Sequence, residues 1–176
     1  MSPRKVILYI ATSLDGFIAK PDGDINWLLQ VEREDEDYGY YKFMNTVDTV
    51  IMGRKTYDKV LSIVPEYPHK EKKSYIITRT SRPSEGNLVF YTGSLKSLVE
   101  ELKSKKGKNI YLDGGAELVY AMLKDNLIDE FIISVIPVLL GDGIRLFSGG
   151  WKEQKLKVLD CKGFESGLIQ MRYRKL

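Results

Sequence analysis

Val50-Ile51-Met52-Gly53-Arg54-Lys55-Thr56-Tyr57 reads as a β-branched strand that stops at a glycine and runs at once into two cations, a hydroxyl and a helical pattern. The first amide groups of a helix lack internal partners and carry partial positive charge, so an anion placed beyond Gly53 would meet several donors at once. Gly53 permits close backbone approach, Arg54 offers a bidentate grip on phosphate oxygens, and Lys55 and Thr56 add a charge and a hydroxyl. The competing reading is an ordinary strand-to-helix connection with two solvated cations. The rest of the chain has to decide between them.

On the N-terminal side, Lys5 to Ala11 is a nearly continuous apolar run, expected as a central strand buried on both faces. Thr12 to Trp27 carries Asp15-Gly16 and Pro21-Asp22-Gly23. It is expected as a long loop at the carboxyl end of that strand, where open α/β sheets bind ligands. Glu34 to Thr46 is expected as a helix with Glu34-Asp35-Glu36-Asp37 in its first turn, which would put Asp37 and Tyr41 on one face at i,i+4.

On the C-terminal side a helix over Arg54 to Leu61 is followed by Ile63 to Lys73, expected as an exposed loop. Ser74 to Thr78 is a buried strand ending in Arg79-Thr80-Ser81-Arg82, a second group of cations and hydroxyls at a strand end. A short strand (Leu88 to Tyr91) and an amphipathic helix (Leu95 to Lys105) come next. Asn109 to Leu112 then runs into Asp113-Gly114-Gly115-Ala116-Glu117 and a helix, repeating the strand, glycine, helix order of the first motif. Phe131 to Val138 is a strand stopped by Pro137, and Leu156 to Cys161 with Leu168 to Tyr173 alternates with period two around a turn. The class is α/β: a mainly parallel central sheet with flanking helices and a C-terminal antiparallel hairpin, in one domain.

The 176 residues are 43% hydrophobic and 29% charged, with a net charge of +3. That balance excludes a disordered chain and gives no argument for nucleic acid. One cysteine (Cys161) and one histidine (His69) leave no Cys/His cluster, so zinc chemistry and Ser-His or Cys-His catalysis are poorly supported. No run approaches the roughly 18 apolar residues of a spanning helix, so a cytoplasmic protein with a small-molecule substrate and no membrane partner is expected.

Taken together, these residues resemble the dihydrofolate reductase superfamily, and within it the reductase domain of the bifunctional riboflavin-biosynthesis deaminase-reductase. The resemblance covers nearly the whole chain. Its strongest piece runs from Asp37 to Arg54; Ser13-Leu14-Asp15-Gly16 with Ile18-Ala19, Trp27, Thr78-Arg79, Asp113-Gly114-Gly115 and Pro137 to Phe147 agree with it in order. Prolines beside the loop tryptophan, usual in dihydrofolate reductases, are missing around Trp27, and no His-x-Glu or Pro-Cys-x-x-Cys of a zinc deaminase is present.

The resemblance implies an NADPH-dependent reductase of a small pyrimidine-, pterin- or ribityl-type substrate, similar to 5-amino-6-(5-phosphoribosylamino)uracil reductase. The alternatives are a dihydrofolate reductase and a non-catalytic NADPH-binding protein. It places Ala11, Ile18, Gly53, Arg54, Lys55, Thr56, Thr78, Arg79, Gly114, Gly115, Ala116 and Glu117 at the cofactor. Asp37, Asp15 and Trp27 fall at the catalytic centre, with Tyr41, Ser134 and Pro137 at the substrate. Either Asp37 or Asp15 is the functional carboxylate, with Asp37 expected to orient the substrate and Asp15 to fix the loop. The cations and hydroxyls at the strand ends independently favour a 2′-phosphate and hence NADPH over NADH. The resemblance also implies a cis peptide between Gly114 and Gly115, and a homodimer in which Leu139 to Leu176 takes part.

Overall fold

The apolar β-branched runs become the interior of a single large sheet, seen in a computed structural model that describes residues 3–176. In chain order the strands are β1 (Val6–Ser13), β2 (Phe17–Ala19), β3 (Val47–Gly53), β4 (Lys73–Ile77), β5 (Leu88–Tyr91), β6 (Asn109–Gly114), β7 (Glu130–Ile136), β8 (Ile144–Arg145), β9 (Leu156–Gly163) and β10 (Ile169–Lys175). The helices are α1 (Tyr40–Met44), α2 (Arg54–Ile63), α3 (Leu95–Ser104) and α4 (Ala116–Lys124). Eight strands pair in the order β5-β4-β3-β6-β1-β7-β10-β9. The pairings from β5 to β7 are parallel, and only β10 runs antiparallel to its neighbours β7 and β9. β1 is therefore interior, as its sequence requires.

Alternation along each strand sorts the core onto two faces. Val6, Leu8, Ile51, Ile110 and Leu112 meet Leu98, Leu102, Val119 and Met122 of α3 and α4. Ile7, Val50, Tyr111 and Ile132 face the other way and meet Phe43 and Met44 of α1, while Met52 and Ile76 meet Tyr57 of α2. Charges that enter the core are paired. Arg4 binds the Asp48 carboxylate and donates to Thr49 Oγ1 (2.7 Å), Lys108 O (2.8 Å) and Leu102 O (3.2 Å), which repays its desolvation. Glu130 is pushed up by burial, but bonds from Lys5 (2.7 Å) and Arg172 (2.8 Å) outweigh this and hold it below the usual glutamate range.

Four local expectations are corrected. The expected loop from Thr12 to Trp27 contains structure, because β1 continues to Ser13, β2 pairs with β8, and a 3-10 helix spans Asn26–Val31. The expected helix from Glu34 starts only at Tyr40. Tyr38 (φ +56°) and Gly39 (φ +80°) take left-handed conformations that interrupt it, and Arg33 bridges Glu36 in an extended turn. The loop after α2 is not wholly exposed, since His69 is buried edge-on to Tyr67 and Tyr111 and lies 3.6 Å from Asp113. Among the described residues no peptide bond is cis, so the Gly114–Gly115 bond is trans, and Gly114 makes the turn through φ +119°. No helix among the described residues is long and apolar enough to cross a membrane.

Candidate active site

β3 and β6 are neighbours with Met52 opposite Gly114, so the two strand-glycine-helix motifs end side by side. Their helices, α2 and α4, start together and their N-termini converge. Thr56 Oγ1 of α2 accepts the Gly115 amide at 3.1 Å, and a Cβ built on Gly53 would lie 3.4 Å from Gly114 O. A side chain at Gly115 would meet Thr56 Oγ1 at 2.8 Å. Both glycines keep this junction open, and no side chain caps either helix. The free amide groups and both helix dipoles favour an anion there.

Four cations surround the junction. Lys55 bonds Glu117 at 2.6 Å, Arg54 pairs with Asp58, Arg82 stands 3.9 Å from Asp58, and Lys55 together with the nearby Arg79 holds the Glu117 carboxyl below its usual range. Two carboxylates thus face four cations, leaving a surplus of positive charge. Thr78 is buried at the end of β4 beside Gly53, its Oγ1 accepting the Thr80 amide at 3.1 Å. The donor set and glycine approach fit a dinucleotide phosphate, with Gly53, Arg54, Lys55, Thr56, Thr78, Arg79, Gly114, Gly115, Ala116 and Glu117 in one region.

A cleft of about 270 Å³ opens on the α1 face of β1 and β7. Ala11, Leu28, Val31, Ile136 and Leu168 supply apolar lining, and Tyr9, Tyr38 and Tyr40 supply aromatic walls. Ser134, Asp37, Glu32 and Glu36 are its polar groups. Gln170 Nε2 of β10, opposite Ser134, lies 3.1 Å from each of Tyr9 Oη, Tyr38 O and Ser134 Oγ, so its two N–H groups are shared among these three acceptors. Burial raises the Tyr9 phenol, which donates to Tyr38 O at 2.9 Å. The base of the cleft is thereby fixed.

Asp37 sits at the cleft edge as an ionised group. Its carboxylate accepts the Tyr41 amide (2.7 Å) and the Gly39 amide (2.9 Å), which hold its pKa below the usual range. It therefore fits an orienting acceptor and not a proton donor. Asp15 does not line the cleft. Its carboxylate accepts Ser13 Oγ (2.6 Å), Gly141 N (2.7 Å) and Leu140 N (3.2 Å), lowering its pKa to about 2 and fastening the β1–β2 turn to the segment after β7.

Three further residues singled out from the sequence lie outside this cleft. Tyr41 is 73% exposed and outside the cleft, because Asp37 precedes α1 instead of lying within it; Tyr40 takes the inward position. Trp27 is only 8% exposed and packs with Val31, Ile136 and Leu168 behind the wall, so it does not line the cleft. Pro137 ends β7 and faces Gly167, also outside the lining. Ala11 does line the cleft, whereas Ile18 packs against the core on the α4 face. Sequence reading missed Tyr9, Tyr40 and Gln170; the period-two pattern of β1 put Tyr9 on the Ala11 face, but nothing local marked Gln170.

The model of the RibD C-terminal domain family matches residues 4–170. The chain belongs to that family. Uncharacterized protein YwjB of Bacillus subtilis (strain 168) is 45% identical over 171 residues, covering 97% of each chain. A crystal structure from Shewanella sp. PV-4, named for riboflavin biosynthesis, is 32% identical with a TM-score of 0.89, covering 98% of this chain and 99% of that one. A diaminohydroxyphosphoribosylaminopyrimidine deaminase/5-amino-6-(5-phosphoribosylamino)uracil reductase from Thermotoga maritima matches at 18% identity and a TM-score of 0.74. It covers 99% of this chain and 57% of that one, a likeness of fold. The fold is dihydrofolate-reductase-like, with an antiparallel hairpin closing a mainly parallel sheet.

Proposed function

We propose that this RibD C-terminal domain protein is an NADPH-dependent reductase that delivers hydride to a small pyrimidine-, pterin- or ribityl-type substrate whose flat ring is held in the Tyr9–Asp37–Ser134 cleft. The observation that carries the reading is the junction of α2 and α4 beside four cations. When bound, NADPH supplies the hydride. The protein's part is to hold and align. The helix N-termini and Arg54, Lys55 and Arg79 grip phosphates, with the cationic surplus favouring the extra 2′-phosphate of NADPH. Tyr9, Tyr40, Leu28 and Ile136 sandwich a flat ring and exclude water, and Ser134 and Asp37 orient its polar edge. Because Asp37 is kept ionised, it anchors ring N–H groups and leaves protonation to another donor.

Reduction of 5-amino-6-(5-phosphoribosylamino)uracil, with and without its phosphate, and reduction of dihydrofolate are the activities to assay first. Steady-state oxidation of NADPH with each acceptor tests the reading; NADPH binding without turnover on any heterocycle would leave a non-catalytic binding protein.

We also propose a cytoplasmic homodimer formed through the C-terminal hairpin. β9 is the sheet's outermost strand, with Leu156, Val158 and Leu159 exposed and its outer edge unpaired among the described residues, a surface suited to a second copy. Light scattering of wild type against Val158→Lys checks it: the dimer should give way to monomer, and a monomeric wild type would refute it.

A further inference from the structure

We infer that the Tyr9–Asp37–Ser134 cleft takes an uncharged or cationic amino-bearing ring and rejects ligands that carry a phosphate. This rests on the proposal that the cleft is the substrate site. Its lining contains three carboxylates, Glu32, Glu36 and Asp37, and no lysine, arginine or histidine. Glu36 accepts the Tyr38 amide on Oε1 (2.7 Å) and Asp37 accepts two amide groups, and among the described residues neither forms an ion pair with a lysine or arginine. Arg33, next to Glu32 in sequence, is committed to the carbonyl oxygens of Glu32 (2.7 Å) and Gln30 (3.3 Å). Lys162 lies over the Phe164 ring, and neither it nor Lys42 of α1 lines the cleft.

The division of charge is sharp. The cations that suit phosphate stand at the α2–α4 junction, while the cleft offers carboxylate oxygens to N–H donors. A phosphate within a few ångströms of three anions is repelled, and the like charge acts as an element of selectivity. The apolar floor and tyrosine walls still favour a flat ring.

The test is calorimetric titration of wild type with cytosine in the absence of cofactor, followed by competition with cytidine and cytidine 5′-monophosphate, which differ from each other only by the phosphate. Competition confines the readout to the cleft and keeps the phosphate cradle out of it. Cytidine should displace cytosine at least about tenfold better than cytidine 5′-monophosphate, and the gap should close as salt rises. Glu32→Lys, at an exposed side chain with no partner among the described residues, should narrow the gap about tenfold by admitting the phosphorylated competitor. Equal competition by the nucleoside and the nucleotide, an unchanged ratio in Glu32→Lys, or no binding of cytosine would overturn the inference. The reductase proposal fails separately: cytosine binding without oxidation of NADPH by any heterocycle would refute that reading and leave the charge selectivity standing. Turnover of a phosphorylated acceptor at rates matching its dephosphorylated form would do the reverse.

Discussion

Thr56 Oγ1 accepts the Gly115 amide at 3.1 Å, tying the first turn of α2 to the first turn of α4 across the ends of β3 and β6. Thr56→Val keeps the shape and removes the acceptor. It should cost about 1 kcal/mol in urea unfolding and weaken NADPH severalfold, because the two helix starts lose their mutual alignment. Gly115→Ala should weaken NADPH further with an unchanged circular dichroism spectrum, since its Cβ would approach Thr56 Oγ1 to 2.8 Å.

Arg79 is exposed at the end of β4 beside the Lys55–Glu117 pair. If it grips the 2′-phosphate, Arg79→Ala should lower NADPH affinity by about tenfold or more, the scale of one charged hydrogen bond, and leave NADH affinity nearly unchanged. Parallel fluorescence titrations with the two cofactors check the selectivity. Equal losses for both would place Arg79 elsewhere.

Asp37 serves structure and cleft at once. Asp37→Ala removes the acceptor for the Gly39 and Tyr41 amides and should cost about 1 kcal/mol, the usual scale for a lost helix cap. Asp37→Asn retains one acceptor oxygen and should fold nearly normally while raising KM for the heterocycle more than it lowers kcat. Full turnover with unchanged KM would remove Asp37 from the site.

Asp15 gives a pH signature. Its pKa in the folded chain is lowered to about 2 from the ordinary aspartate value of 3.8, chiefly through the Ser13 hydroxyl with help from the Gly141 and Leu140 amides. A depressed carboxyl contributes stability that is complete above the unfolded value and is lost as pH falls through the folded one. Thermal melts should therefore show wild type losing stability between about pH 4 and pH 2, and Asp15→Asn should flatten that part of the curve.

The large elements were readable because their signals are local. The buried strands announce themselves as β-branched runs, and Gly53 and Gly114-Gly115 mark both strand-to-helix turns. The cradle followed from these with the cations of Arg54, Lys55 and Arg79. The α1 region was misread because Glu34 to Asp37 imitates the acidic first turn of a helix, while the break that matters is conformational, at Tyr38 and Gly39. That shift of the helix start moved the inward position from Tyr41 to Tyr40. Gln170 was illegible for a different reason: it reaches the cleft only because β10 pairs with β7 in a register that sets it opposite Ser134. Trp27 carries its motif faithfully, but the 3-10 helix over Asn26–Val31 turns it into the wall.

The most direct measurement of the central claim is thermal unfolding of the wild-type protein with NADPH, NADP and NADH side by side, since a ligand of the folded state raises stability by RT ln(1 + [L]/Kd). The account predicts clear stabilisation by the two phosphorylated cofactors and much less by NADH at equal concentration. Equal stabilisation by all three, or by none, would contradict it.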